Sequence, residues 1–354
     1  MSSKIAIEKP NDYLEIVRLP CLDLPPRFLW FQIQNFLNIL RQRRDYGVIH
    51  SVSHQMAFLS AFLKRKLRRP LITSYHGVPF YDLRNFVNSP TNSWTIGDFG
   101  YNFLEFPLNE ALIRFGLRNS DKITTCSKTT LNELRTLYGN VDREKSLVIP
   151  NGIDFGKIQE IKNRFKNREN VATPSIIFAG RLYYLKGITY LMQAFEHLIP
   201  DHPNLKLNIF GTGPMKDKIQ ALILSRGLSG KIFLRGQADR SRLMEEFLQA
   251  DVAVFPSLRE AQPVSVLEAM AFEKPVVVFD FPFAREIVRD QYNGFLARRE
   301  DSKDLAAKMG ALLSDKRLRD RIGQNAYEYV KQHHNWDKLV NKYIDLYEEV
   351  TKNR

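Results

Sequence analysis

From residue 175 onward, short apolar runs alternate with stretches of helical period. The runs at 175–180 (SIIFAG), 205–211 (LKLNIFG), 231–236 (KIFLRG), 251–257 (DVAVFPS) and 275–280 (PVVVFD) predict buried strands. Helical patterns fill the gaps at 187–198, 215–226 and 239–250, and from Pro263 onward. Continuous apolar strands separated by helices predict a parallel sheet covered on both faces. Three further helices are expected over 302–314, 316–332 and 336–351. The first part of the chain alternates less regularly, with strands expected at 14–19, 47–52, 71–76, 122–127 and 146–150. A turn-rich stretch, 79–100, reads as a long loop. The polar segment 161–174 has no strong period, so a linker is expected near 152–172. The fold class expected is therefore α/β, two tandem Rossmann-like, doubly wound domains facing a cleft.

Composition narrows this picture. The chain has 354 residues, 44% of them hydrophobic, enough for two cored domains. It has no run of 18 uncharged apolar residues and no apolar signal region near Met1. Cys21 and Cys126 are its only cysteines, too few for a disulfide framework. The expectation is a cytoplasmic protein working at the inner face of the cell membrane. Net charge is +13. Nine Lys and Arg against one acid, Asp45, lie between Arg27 and Arg69. Two readings of that cluster stand. The cations complement helix C-termini, or segment 27–69 makes peripheral contact with an anionic membrane. No recognition motif accompanies the charge, so no nucleic-acid partner is expected.

Four stretches carry candidate chemistry. In AGRLYYLKG (179–187), Gly180 permits a tight turn, and Arg181 and Lys186 suit a phosphate at a helix N-terminus or are solvated surface cations. FGTGPM (210–215) sets Gly211 and Gly213 after a strand, short of a dinucleotide fingerprint. In REAQPVSVLE, Glu260 falls on a loop at a strand end and Pro263 at the first helical position. The amides of Val264, Ser265 and Val266 would then be open to phosphate oxygens. Glu268 follows within the helix, where a carboxylate suits a pair of sugar hydroxyls. His76 closes a strand of the first part, placing it at a cleft between two sheets.

Together these residues resemble a retaining glycosyltransferase of family 4, of the GT-B class. The resemblance rests on E-A-Q-P-V-S-V-L-E as the E-x7-E motif, with G-R-L-x-x-x-K-G, G-T-G-P, P-N-G-I-D (150–154) and a W-D-K helix start, over about 12–351. It implies a nucleotide-sugar donor, UDP- or GDP-linked, as a substrate in the cleft, and a glycan or lipid-linked acceptor. It implies that Arg181 and Lys186 neutralise the diphosphate, Glu268 holds ribose hydroxyls and Glu260 contacts the donor sugar. His76 would reach the sugar near the reacting carbon, and Gly180, Gly211 and Gly213 would let the backbone approach the nucleotide. It implies no metal and no further cofactor. The domains it implies are an acceptor-side unit over 1–155 with the last helix, 337–354, and a nucleotide-sugar unit over 170–336.

The chain departs from the family in two places. No glycine-rich strand–loop–helix precedes Tyr46, so the first domain is expected to be incomplete at its N-terminus. That leaves a rival expectation, a catalytically weak or partner-dependent subunit. DFPFARE (280–286) replaces the family's Gly-Gly ahead of Glu286 with Pro282 and Phe283.

Overall fold

A computed structural model describes residues 6–11, 14–18, 47–78, 106–139, 141–165 and 173–352. The expected loop 79–100 and the stretch 27–46 of the basic segment lie outside the described residues.

The chain opens with β1 (Ala6–Asn11) and β2 (Leu14–Arg18), which pair antiparallel as a separate two-stranded sheet. This corrects the strand expected at 14–19 as part of a parallel sheet. Strands two residues apart in sequence cannot make the long crossover that parallel pairing needs.

The first parallel sheet follows. It orders β3 (Ile49–Ser51), β4 (Leu71–Tyr75), β5 (Lys122–Thr125) and β6 (Ser146–Val148) in sequence. Helices α1 (Ala57–Leu67), α2 (Phe106–Asn119) and α3 (Lys128–Tyr138) make the crossovers. β4 is buried along its whole length, as a central strand covered on both faces must be.

Helix α4 (Phe155–Arg164) comes next. It occupies much of the segment expected to be a linker, and residues 166–172 lie outside the described residues. Asp154 caps it by accepting from the Lys157 N–H at 2.9 Å. Ile158 and Ile161, one turn apart, are buried in the core of the second sheet. A window starting at Ile161 cuts that pair, which is why no period is visible there.

The second sheet has six parallel strands in the order β12-β11-β10-β7-β8-β9. They are β7 (Ser175–Ala179), β8 (Lys206–Phe210), β9 (Ile232–Gly236), β10 (Val252–Phe255), β11 (Val276–Phe279) and β12 (Phe295–Ala297). Helices α5 (Ile188–Leu198), α6 (Lys216–Ser225), α7 (Arg240–Gln249) and α8 (Val264–Ala271) join the first five. The turn α9 (Ala284–Ile287) leads to β12. Neither α9 nor the three-residue β12 is visible in the hydrophobic pattern. Apolar side chains fill both faces, with Ile176, Phe178 and Leu191 on one and Ile177, Phe247 and Leu267 on the other.

Helices α10 (Ser302–Ser314), α11 (Lys316–His333) and α12 (Trp336–Lys352) complete the chain. α12 returns to the first sheet, where Leu346 and Val350 pack with Ile72 and Ile149. Its start is pinned by the P-N-G-I-D segment, since the Trp336 N–H donates to the Ile153 carbonyl at 3.0 Å. Among the described residues, no helix is long and apolar enough to cross a membrane.

Candidate active site

The site residues sit at the C-terminal ends of the parallel strands, where loops can carry chemistry on a rigid sheet. After β7 come Gly180 and Arg181, then a short 3₁₀ turn, Tyr184–Lys186, before α5. Arg181 is exposed. Its guanidinium and the Lys186 ammonium each lie 5.9 Å from the centre of the Tyr183 ring, so one aromatic ring attracts both cations.

The loop after β8 packs directly on this loop. The Leu182 N–H donates to the Thr212 carbonyl at 2.9 Å, and the Met215 N–H to the Leu182 carbonyl at 3.0 Å. A Cβ on Gly211, where φ is +134°, would lie 1.9 Å from the Gly180 carbonyl oxygen, and one on Gly213 would lie 2.4 Å from that of Leu182. Both glycines are thus required by the contact between the two loops. A cavity of about 440 Å³ opens beside them, lined by Gly180, Arg181, Gly211, Gly213, Gln237 and Leu243 among others.

The loop after β10 presents Glu260. Its Oε1 accepts from the Lys186 ammonium and, at 2.8 Å, from the Ser257 hydroxyl. Lys186, read from sequence as suiting a phosphate or as a solvated cation, is paired here with the first glutamate of the motif. Their side chains are 16% and 13% exposed, sheltered enough for the pair to be well formed. Pro263 caps α8 instead of standing at its first helical position, and no side chain caps that helix. The first-turn amides of Val264, Ser265 and Val266 so lack the side-chain acceptor that a Ser or Asp cap would supply.

Glu268 lies inside α8 with its side chain 8% exposed. The Arg240 guanidinium donates to its Oε1 from Nε at 3.1 Å and lies 3.0 Å away through Nη2. Burial raises the Glu268 pKa above the usual carboxylate value, and Arg240 opposes that rise. Arg240 is not legible from motif spacing. Its signal is positional, since Asp239 caps α7 and sets Arg240 at the end of the β9 loop.

His76 follows β4, across from these loops, with its ring reaching solvent. The surrounding protein still holds its pKa below 6.5. A Cβ on the next residue, Gly77, would lie 3.7 Å from the Cβ of Ala261, so the His76 loop and the Glu260 loop touch. Two more histidines that sequence patterns do not flag share this neighbourhood. His50 bridges the Tyr347 hydroxyl of α12 (2.7 Å) and the Ser74 hydroxyl (2.8 Å). His54 stacks on Tyr75, and burial lowers its pKa to about 4.

The structure thus sets the His76 loop against the Glu260 loop, on which Glu260 is paired with Lys186. It sets Gly180, Arg181, Gly211 and Gly213 around the cavity, and pairs Glu268 of α8 with Arg240 of α7. Among the described residues, no group of three or more His, Cys, Asp or Glu is placed to hold a metal ion.

Known proteins match this chain along nearly its whole length. The family model described as glycosyltransferase family 4 matches residues 4–157, and that of glycosyl transferases group 1 matches 159–329. An uncharacterized glycosyltransferase of Methanocaldococcus jannaschii is 30% identical over 309 residues, 85% of this chain and 75% of the relative. Sucrose-phosphate synthase of Thermosynechococcus elongatus superposes with a TM-score of 0.82 at 18% identity, covering 98% of this chain and 86% of that one. Anabaena HepE, solved in complex with UDP and glucose, superposes with a TM-score of 0.69 at 19% identity, covering 89% and 81%. With its two parallel sheets meeting at their strand ends, the chain belongs to the family 4 glycosyltransferases of GT-B fold.

Proposed function

We propose that this chain moves a hexose from a nucleotide-diphosphate donor, UDP- or GDP-linked, to a glycan or lipid-linked acceptor, with retention and without a metal ion. The observation that carries this reading is the Glu260–Lys186 pair, held on a loop that touches the His76 loop of the other half. Arg181 and Lys186 would hold the diphosphate, with the uncapped start of α8 adding its dipole. A diphosphate reaching Lys186 exchanges one anionic partner for another and releases Glu260 towards sugar hydroxyls. Glu268, oriented by Arg240, would accept from the ribose hydroxyls. His76, kept neutral by its lowered pKa, would contact the sugar without adding a positive charge beside an oxocarbenium-like centre.

In the transfer step the bond from the anomeric carbon to the phosphate oxygen breaks, and its electron pair leaves with the phosphate. The acceptor oxygen bonds to the same face, and its proton passes to the departing phosphate. Proton NMR of the first product from UDP-glucose and other UDP- and GDP-sugars, with a lipid extract as acceptor source and EDTA present, tests the reading. An inverted anomer, or activity lost to EDTA, would refute retention or metal independence respectively.

The acceptor side fits a membrane contact through segment 27–69. On α1, Phe58 and Phe62 are 60% and 39% exposed. They share a helical stripe with Arg65, and Lys66 and Arg68 are also exposed. Co-sedimentation with phosphatidylglycerol vesicles at low salt is expected and should fall for Phe58→Ser/Phe62→Ser. Equal recovery with neutral vesicles would oppose it.

A further inference from the structure

The loop that carries Glu260 is anchored on both sides to other parts of the chain. Two residues after Glu260, the side-chain carbonyl of Gln262 accepts from the Asn151 N–H, and its backbone carbonyl accepts from the Asn151 side-chain amide at 3.0 Å. One residue before it, Arg259 crosses to the first half. Its Nη1 and Nη2 donate to Oε1 and Oε2 of Glu133 in α3 at 2.7 and 2.9 Å. Nη2 also reaches the Val78 carbonyl, two residues beyond His76, at 3.4 Å. The Arg259 and Glu133 side chains are 13% and 16% exposed.

The same helix is gripped a second time. Glu286, from the short helix α9 after β11, accepts from the Lys128 N–H at 2.9 Å, the Thr129 N–H at 2.6 Å and the Thr129 hydroxyl. Ser127 accepts from the Thr130 N–H at 3.0 Å. The first three amides of α3 are so satisfied, two of them by a carboxylate from the other half.

A sheltered ion pair is a poor source of stability, because desolvation offsets the attraction. What a two-pronged Arg–carboxylate contact does supply is direction, since the guanidinium fork fixes both partners in one plane. We infer that Arg259 is a positioning residue: by gripping Glu133 and the Val78 carbonyl, it holds the Glu260 loop against the His76 loop at one spacing. The proposal rests on the sugar-transfer reading, because that reading makes Glu260 and His76 face one substrate. Arg259 acts on Glu260 and His76 through the two loops that carry them.

The test compares wild type with Arg259→Gln, Arg259→Lys, Arg259→Glu, Glu133→Gln and the swap Arg259→Glu/Glu133→Arg. Arg259→Gln is expected to lower kcat about 10- to 100-fold, the range that slight misplacement of reacting groups produces, with donor KM within about threefold. Lysine, lacking the fork, should recover only part. The swap should recover about tenfold over Arg259→Glu alone. Hydrogen–deuterium exchange is read in parallel on peptides covering residues 76–78 and 128–138, and Arg259→Gln should exchange faster in both. Unchanged exchange would overturn the proposal, as would a kcat within twofold of wild type or a swap no better than the single variant. The exchange arm needs no turnover. A wild type inert to every donor, with faster exchange in Arg259→Gln, would fault the transfer reading and leave the clamp standing.

Discussion

Gly211→Ala is the substitution whose outcome the structure fixes most tightly. Ordinary contact for a Cβ begins near 3.4 Å, and the added carbon would start 1.9 Å from the Gly180 carbonyl oxygen. The loops after β7 and β8 must therefore part by about 1.5 Å. That separation strains the Gly180 N–H bond to the Phe210 carbonyl (3.0 Å), the Leu182 N–H bond to Thr212 (2.9 Å) and the Gly211 N–H bond to Gly236 (2.7 Å). Each is worth about 1 kcal/mol net. A φ of +134° adds backbone strain of about 1–3 kcal/mol for a residue with a side chain. Loss of all three bonds together with that strain comes to about 4–6 kcal/mol. Gly227→Ala is the internal control, because its φ is +64° with nothing within 4 Å of the new carbon, leaving only about 1–2 kcal/mol of left-handed strain. Urea unfolding of the two variants should differ by several kcal/mol. Nucleotide affinity should fall in Gly211→Ala alone, since Gly211 lines the cavity. Equal stability for the two variants would refute the claim that backbone packing, rather than the turn, demands glycine here.

Two further outcomes follow from buried charges. Arg240→Ala removes the cation beside Glu268, whose side chain is 8% exposed in the wild type, so the Glu268 pKa should climb further. A raised carboxyl pKa contributes stability at low pH that is lost as pH rises through it. The variant's deficit, about 1–2 kcal/mol, should therefore be larger at pH 8 than at pH 5 in thermal unfolding. His54 has the opposite sign: its pKa is lowered to about 4 from 6.5, so its stability is whole above pH 6.5 and is lost as pH falls towards 4. That span is worth about 3 kcal/mol, with the lowered pKa values of His50, His76 and His334 adding in the same direction. His54→Gln should flatten the pH dependence of unfolding between pH 4 and 6.5, and an unchanged slope would count against its burial as the cause.

Much of the second sheet is legible because its strands are buried on both faces. Val276–Phe279 reads as one apolar run and could hardly be anything else between two turns. The hairpin of β1 and β2 and the helix α4 are not legible. β1 is polar enough to hide (AIEKPN), and α4 shows only Ile158 and Ile161 as a buried pair. Glu260 and Glu268 declare themselves through one loop-to-helix spacing. Their partners do not. Arg240 lies 28 residues from Glu268, and Glu133 lies 126 from Arg259. Only the folded sheets decide which cation meets which carboxylate, so the pairing of Lys186 with Glu260 is invisible in the sequence although both residues stand out there. The glycine pair reads in sequence as a turn, whereas the backbone contact between two loops explains it.

The most direct test of the central claim is thermal unfolding of the whole chain with UDP, GDP and ADP, each in wild type and in Glu268→Ala. At a hundredfold excess over Kd, a bound nucleotide adds about 2.7 kcal/mol. A rise with one nucleotide that vanishes in Glu268→Ala is expected, and it would name the base and the carboxylate that holds the ribose. No rise with any of the three, or a rise that survives in Glu268→Ala, would contradict a donor site built on these residues.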